Sequence, residues 1–199
     1  VRQGDPLGLG HAVLVARHHV GHEPFAVLLG DDLIDTRDPI LNRMIAIRNE
    51  FGGSVLCLMQ VPRETISLYG CVSVEGEPVD GVVTVTDLVE KPDVVSAPSD
   101  LAIIGRYILD PAVFAVLKET APGRGGEIQL TDALRVLATM PPDQGGGVRG
   151  VVFDGRRYDT GDKLSYLQAV ITLASEREDI GPELKDWLHN FCQREIAGD

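Results

Sequence analysis

The chain of 199 residues is short of positive charge, of aromatic rings and of cysteine. Lysine and arginine number 18 against 30 aspartates and glutamates, giving a formal net charge of −12 at pH 7. So anionic a chain argues against a generic nucleic-acid or anionic-membrane surface, which needs a cationic footprint. It leaves room for an anionic small ligand if a metal and a few lysines or arginines are focused locally. The three cysteines, Cys57, Cys71 and Cys192, show no CxxC or zinc spacing. Their odd number and scatter read as reduced thiols in a cytoplasmic protein. No apolar run reaches the ~20 residues of a membrane helix, and no basic-then-apolar signal segment stands at the start. Nor is there an initiator methionine: the chain opens at Val1-Arg2-Gln3 as though in mid-strand, and the expectation is that the front of a longer protein is missing.

What is present reads as one soluble α/β domain with a real core, since 44% of the residues are hydrophobic and 24% charged. Five apolar residues, Phe25 to Leu29, run without polar alternation and predict a central parallel strand covered on both faces. Gly30-Asp31-Asp32 ends it. Open α/β sheets place ligands beyond the carboxyl ends of their strands, so Asp31 or Asp32 stands where a divalent cation could sit; solvation of a loop is the alternative. Before it, Gly8-Leu9-Gly10-His11 suggests a tight loop opening a helix, but the spacing is not GxGxxG followed by an acid. His11, His18, His19 and His22 fit no metal set and read as surface and capping residues.

Asp38-Pro39 predicts a helix start, with Ile40, Met44, Ile47 and Phe51 inward and Gly52-Gly53 as the stop. Ser54–Val61 is a second apolar strand, and strand-helix-strand implies a parallel pairing. From Ile66 the pattern alternates, turns at Glu75-Gly76-Glu77-Pro78 and alternates again over Gly81–Val89, as antiparallel strands do. Leu101–Leu109 is a further strand, and Asp110-Pro111 starts a helix to about Glu119. Glu127–Met140 reads as an amphipathic helix and Val148–Phe153 as a strand. Two helices close the chain. In Leu164–Glu176, Leu164, Leu167, Val170, Ile171 and Ala174 point inward; in about Pro182–Arg194, Trp187 and Phe191 share a stripe that packs on its own domain or serves oligomer contacts.

Polar groups recur at strand ends: Gly30-Asp31, Tyr69-Gly70, Glu90-Lys91-Pro92, Gly105-Arg106 and Asp159-Thr160-Gly161. Each alone is an ordinary turn or cap. Their order resembles the sugar nucleotidyltransferases, and among them the bacterial-type UTP-glucose-1-phosphate uridylyltransferases. The similar segments are Arg2-Gln3-Gly4, Gly8–Ala12, Leu29–Asp32, Val89–Pro92, Ala97-Pro98-Ser99, Gly105-Arg106-Tyr107, Gly126–Ala133 and Tyr158–Lys163; the run Gly126–Ala133 is the most specific. These 199 residues hold no Gly-x-Gly-Thr-Arg loop, which in that family grips the triphosphate, and Gly30 stands where the close family commonly has proline.

The resemblance implies a Rossmann-like nucleotidyltransferase fold: a mixed, mainly parallel central sheet flanked by helices, N-terminal strands missing, with residues 1–199 forming the C-terminal two-thirds of a single domain. It implies transfer of uridylyl from UTP to glucose 1-phosphate, giving UDP-glucose and pyrophosphate, in the complete protein rather than in these residues alone. By the same resemblance Asp31 and Asp159 hold Mg²⁺, with Asp32 as rival ligand, and Lys91 meets the sugar phosphate. Glu90 and Glu127 accept from sugar hydroxyls, Gly70 and Gly105 expose bare backbone to the sugar, and Gln3 and Gly8 face the uracil. Lys163 supports the phosphates. The implied partners are these two substrates and further copies of the chain in a homo-oligomer, without nucleic acid or membrane. A metal-dependent glycosyltransferase also uses acids after a central strand, but Glu90-Lys91-Pro92 and Glu127–Ala133 fit it less well. A truncated, non-catalytic module that binds sugar phosphate or oligomerises is the third reading.

Overall fold

A computed structural model describes residues 1–195. In chain order the elements are α1 (Leu9–Val15), α2 (Arg17–Val20), β1 (Phe25–Leu28), β2 (Asp32–Ile34), α3 (Leu41–Phe51), β3 (Ser54–Gln60), β4 (Gly70–Val79), β5 (Val82–Glu90), β6 (Leu101–Leu109), α4 (Val113–Glu119), α5 (Leu130–Thr139), β7 (Val148–Val152), β8 (Arg157–Asp159), α6 (Lys163–Ser175) and α7 (Gly181–Glu195). The contacts gather into two compact units. The first is Val1–Gly30 with Thr36–Gly155; the second is Asp31–Asp35 with the chain from Arg156 onward.

The first unit holds a six-stranded mixed sheet in the order β1-β6-β3-β7-β5-β4. Strands β1, β3, β7 and β4 run one way, β6 and β5 the other. "Mainly parallel" therefore holds for direction only, because β3–β7 is the single parallel pair of neighbours. The reason is β6, which inserts between β1 and β3 and bonds antiparallel to both. It also corrects the placing of Phe25–Leu29. That run is the edge strand, not a central one: Phe25 and Val27 pack inward, while Leu28 is 52% exposed. The fully enclosed strand is β3, buried from Ser54 through Leu58.

On one face of the sheet, Leu56 and Leu58 of β3 join Val13 of α1, Leu117 of α4 and Leu130, Leu134 and Leu137 of α5 in one core. Burying such side chains stabilises by roughly 1.5–3 kcal/mol each. Phe25 stacks on Phe114 at 5.0 Å between ring centres, tying β1 to α4. Three boundaries shift from the sequence reading. The hairpin turns at Asp80-Gly81, not at Glu75–Pro78, because these two residues take consecutive positive φ of 49° and 69°, the geometry of a tight two-residue turn. Helix α3 starts at Leu41 without a side-chain cap from Asp38. Helix α5 starts at Leu130, leaving Glu127 in the preceding loop.

The second unit pairs β2 with β8 antiparallel, Asp32 opposite Asp159 and Ile34 opposite Arg157. Helix α6 follows, its N-cap Asp162 accepting the Ser165 N–H at 2.9 Å. The inward stripe expected on α6 is overturned: Ala169 is its buried residue, while Leu164 is 64% and Leu167 57% exposed. Two three-residue strands offer too little apolar area to cover a thirteen-residue helix. Trp187 and Phe191 of α7 stack on each other at 5.2 Å and are exposed. Among the described residues no helix is long and apolar enough to cross a membrane, and none of the three cysteines is in a disulfide.

Candidate functional site

In the first unit the end of one hairpin gathers three of the expected residues. Gly70, the first residue of β4, lies opposite Glu90, the last of β5. A Cβ at Gly70 would meet Glu90 Oε2, Thr131 Oγ1 and Ile103 Cδ1, all at 3.2 Å. Bare backbone there keeps room for the Glu90 carboxylate. The Thr131 hydroxyl donates to Glu90 Oε2 at 2.6 Å, the short contact typical of a charged acceptor. Lys91 Nζ stands 3.9 Å from the other oxygen, Oε1, and its side chain is half exposed. The Lys91 backbone has φ 45°, and its N–H donates to the Tyr69 carbonyl at 3.0 Å. Only one other described non-glycine residue has positive φ, Asp80 in the hairpin turn. Strain of this kind persists where surrounding structure enforces it, and here it aims Lys91 away from the strand path.

A second group in the same unit joins the loop before α1 to the loop before α5. Gly8, at φ 98°, leaves no space for a side chain: a Cβ would meet Glu127 Cβ at 2.7 Å and the Ile128 carbonyl at 2.9 Å. Gly10 N–H donates to the Ile128 carbonyl at 2.9 Å, and Ile128 N–H to the Leu7 carbonyl at 2.8 Å. Gln3 Nε2 donates to the Gly8 carbonyl at 3.2 Å and contacts His11 Nδ1 at 2.9 Å. The loop thus uses the nitrogen end of Gln3. Glu127 is exposed, with Gln129 Nε2 at 3.4 Å from its Oε2. Gly105 lies buried in β6, where its carbonyl accepts from Leu29 N–H at 2.9 Å and Arg106 Nη1 at 2.8 Å, at the very end of β1.

The second unit carries the aspartates. Asp32 is 5% exposed, and both its oxygens accept from Arg157 Nε, at 2.9 and 3.0 Å. Both oxygens of the Asp32 carboxylate are thus engaged by Arg157 within this unit. Arg157 Nη2 also donates to Asp159 Oδ2 at 3.2 Å, and Gly161 N–H to Asp159 Oδ1 at 3.0 Å. Asp31 is exposed; its carbonyl takes the Thr160 N–H and hydroxyl at 2.7 and 2.9 Å. A Cβ on Gly161 would stand 3.3 Å from both Asp31 Oδ2 and Asp159 Oδ1. The two carboxylates therefore border one small space that glycine leaves open. No group of three or more His, Cys, Asp or Glu side chains poised for a metal occurs among the described residues. A pair of carboxylates suits a hard cation that keeps several waters. Lys163, the exposed first residue of α6, lines a shallow depression with Thr160, Gly161, Asp162, Tyr166 and Leu167. Ser165 hydrogen bonds hold the Asp162 carboxyl below its ordinary pKa.

Two participants went unread in the sequence. Thr131 sits inside the Gly126–Ala133 run but was hidden by its neighbours' stronger signal; Arg157 precedes Tyr158 with nothing to mark its partner 125 residues away.

Residues 1–176 match the family model described as nucleotidyl transferase. The UTP–glucose-1-phosphate uridylyltransferase YngB of Bacillus subtilis is 41% identical over 195 residues, covering 98% of this chain and 64% of the relative. A UTP–glucose-1-phosphate uridylyltransferase of Streptococcus pneumoniae is 42% identical over 192 residues, covering 94% of this chain and 62% of the relative. This chain thus spans somewhat under two-thirds of the length of these relatives. Among solved structures, a UDP-glucose pyrophosphorylase complexed with UDP-glucose superposes with a TM-score of 0.82 at 40% identity, over 89% of this chain and 66% of that one. A UTP-bound UGPase from Acinetobacter baumannii gives 0.81 at 38% identity, over 94% and 64%.

Proposed function

Since this chain belongs to the nucleotidyl transferase family, we propose that it serves the transfer of a uridylyl group from UTP to glucose 1-phosphate, with UDP-glucose and pyrophosphate as products. The observation that carries this reading is the grouping of Gly70, Glu90 and Lys91: a carboxylate oxygen and an ammonium side by side over bare backbone, the pairing a sugar phosphate needs. The names of the relatives above point to the same substrates. In this reading residues 1–199 are the C-terminal two-thirds of one nucleotidyltransferase domain that works in the cytoplasm as a homo-oligomer.

The chemistry asks little of a base. The attacking phosphate oxygen is already an anion at neutral pH, and the barrier lies in bringing two anions together, so positioning and charge neutralisation dominate. Lys91 meets the phosphate of glucose 1-phosphate as a point charge. Glu90 and Glu127 accept from sugar hydroxyls, and Gly70 and Gly105 let the ring approach backbone. Gln3 pairs with the uracil edge beside Gly8. Asp31 and Asp159 hold Mg²⁺, which when bound offsets charge on the phosphates; Arg157 and Gly161 keep Asp159 aimed. Lys163 adds a cation for the phosphates.

The reading is tested by joining this chain to the N-terminal segment of the Bacillus subtilis relative and following pyrophosphate release. Release that requires both UTP and glucose 1-phosphate supports it; sugar transfer without pyrophosphate indicates a glycosyltransferase. In that fusion Lys91→Ala lowers turnover at least ~100-fold, as loss of one transition-state charge contact does; near-normal turnover removes Lys91 from the site. The 199 residues alone, having no Gly-x-Gly-Thr-Arg loop, bind UTP weakly or not at all in a calorimetric titration, and micromolar affinity contradicts the proposal.

A further inference from the structure

Resting on that reading of Glu90, we infer that Thr131 is a positioning residue that sets which sugar epimer the site accepts. The Thr131 hydroxyl holds Glu90 Oε2 at 2.6 Å, and Thr131 itself is 8% exposed. A carboxylate with one oxygen bonded this way cannot turn freely, and the bond leaves Oε1 at 3.9 Å from Lys91 Nζ. Gly70 lies opposite Glu90 on the other strand, and a Cβ there would stand 3.2 Å from both partners of the bond, so any side chain at this position would press on it. Epimers of a hexose differ in where one hydroxyl points. A single acceptor fixed in place distinguishes them, because the misplaced hydroxyl leaves that acceptor unpaired. A carboxylate free to rotate follows the hydroxyl and distinguishes less. Thr131 acts through Glu90 and touches no reacting atom.

The test is the binding of glucose 1-phosphate, galactose 1-phosphate and mannose 1-phosphate to this chain, measured by saturation-transfer NMR at millimolar ligand. Thr131→Val keeps the shape and deletes the donor; it weakens the preferred sugar phosphate and narrows the ratio between epimers at least ~5-fold. Thr131→Ser keeps the donor and holds that ratio within about 2-fold. Should Thr131→Val fail to fold, Gly70→Ala presses on the same bond and narrows the ratio in the same direction. A purely structural threonine would alter stability and leave the epimer ratio alone. An unchanged ratio in Thr131→Val, with the ratio abolished by Glu90→Gln, overturns this inference and spares the sugar site. An unchanged ratio in Glu90→Gln overturns the reading of Glu90 itself. No binding by the unaltered chain overturns both.

Discussion

The two units are built on different principles. In the first, the side chains shut away from water are mostly apolar, among them Leu56, Leu58, Ile104 and Leu134, and its buried polar ones, Ser54 and Thr131, are uncharged. In the second, two of the few buried side chains are the carboxylates Asp32 and Asp35. Asp32 faces Arg157; Asp35 faces Arg156 at 3.9 Å and the Tyr158 hydroxyl at 3.5 Å. Charges enclosed in this way hold a structure together only while paired, and a lone survivor is strongly destabilising. Charge thus stiffens the short ladder that presents Asp31 and Asp159, while apolar packing behind β4, β5 and α5 fixes Glu90 and Lys91. The first unit should answer to lost volume and the second to lost charge.

The sharpest way to break that contrast is a cavity in the first unit. Leu58→Ala removes a side chain that is wholly enclosed and pressed against Gly150. A loss of about 3–4 kcal/mol is expected, read from denaturant unfolding and from faster amide exchange in β3 and β6. Exchange in β2 and β8 is expected to stay as it was. Equal acceleration in both places would show that the units do not differ in the way argued.

Arg157→Leu is the reciprocal change, with a somewhat smaller effect of about 2–3 kcal/mol because the guanidinium is 11% exposed and water can reach the abandoned Asp32. Amides of β2 and β8 then exchange faster, roughly 30- to 150-fold by the conversion of 1.36 kcal/mol per decade. Adding Asp32→Asn to Arg157→Leu removes the stranded charge and recovers part of the loss. If the double variant is no better than the single one, the ion pair is not what holds the ladder.

The same contrast governs how much the residues alone disclose. The apolar unit was legible: β3, β6, β7 and the apolar face of α5 follow from run length and periodicity. Its errors are errors of pairing. Phe25–Leu29 looks central because an unbroken run fits either place, and nothing local announces that β6 will come between it and β3. Glu75-Gly76-Glu77-Pro78 outcompeted Asp80-Gly81 as a turn because it has more breakers, although the latter is the stronger two-residue signal. In the polar unit, Asp31 and Asp32 could not be told apart, since what separates them is an arginine 125 positions on. The apolar spacing of α6 predicted a buried stripe; spacing says which residues share a face, not whether there is enough neighbouring surface to bury it.

The smallest effect expected lies at the start of α6 and concerns pH. Asp162 is fully exposed, yet its carboxyl titrates below the ordinary value of 3.8, first because it accepts the Ser165 backbone N–H and then the Ser165 hydroxyl. A carboxyl whose pKa is depressed on folding binds fewer protons folded than unfolded. Its contribution is therefore complete above the unfolded value and fades as pH falls through the lower, folded one. Asp179, also fully exposed and held low first by its hydrogen bond to Arg177, follows the same sign, but an exposed ion pair is screened by salt whereas a cap is much less so. Lowering the pH from about 5 to about 2 in high salt isolates the cap. The Ser165 amide resonance should then move with a midpoint under 3.8, and Asp162→Asn, which caps without titrating, should flatten the curve. A Ser165 amide that ignores this range would mean that charge does not hold the end of α6, and the electrostatic account of the second unit would shrink to the Arg157 ladder.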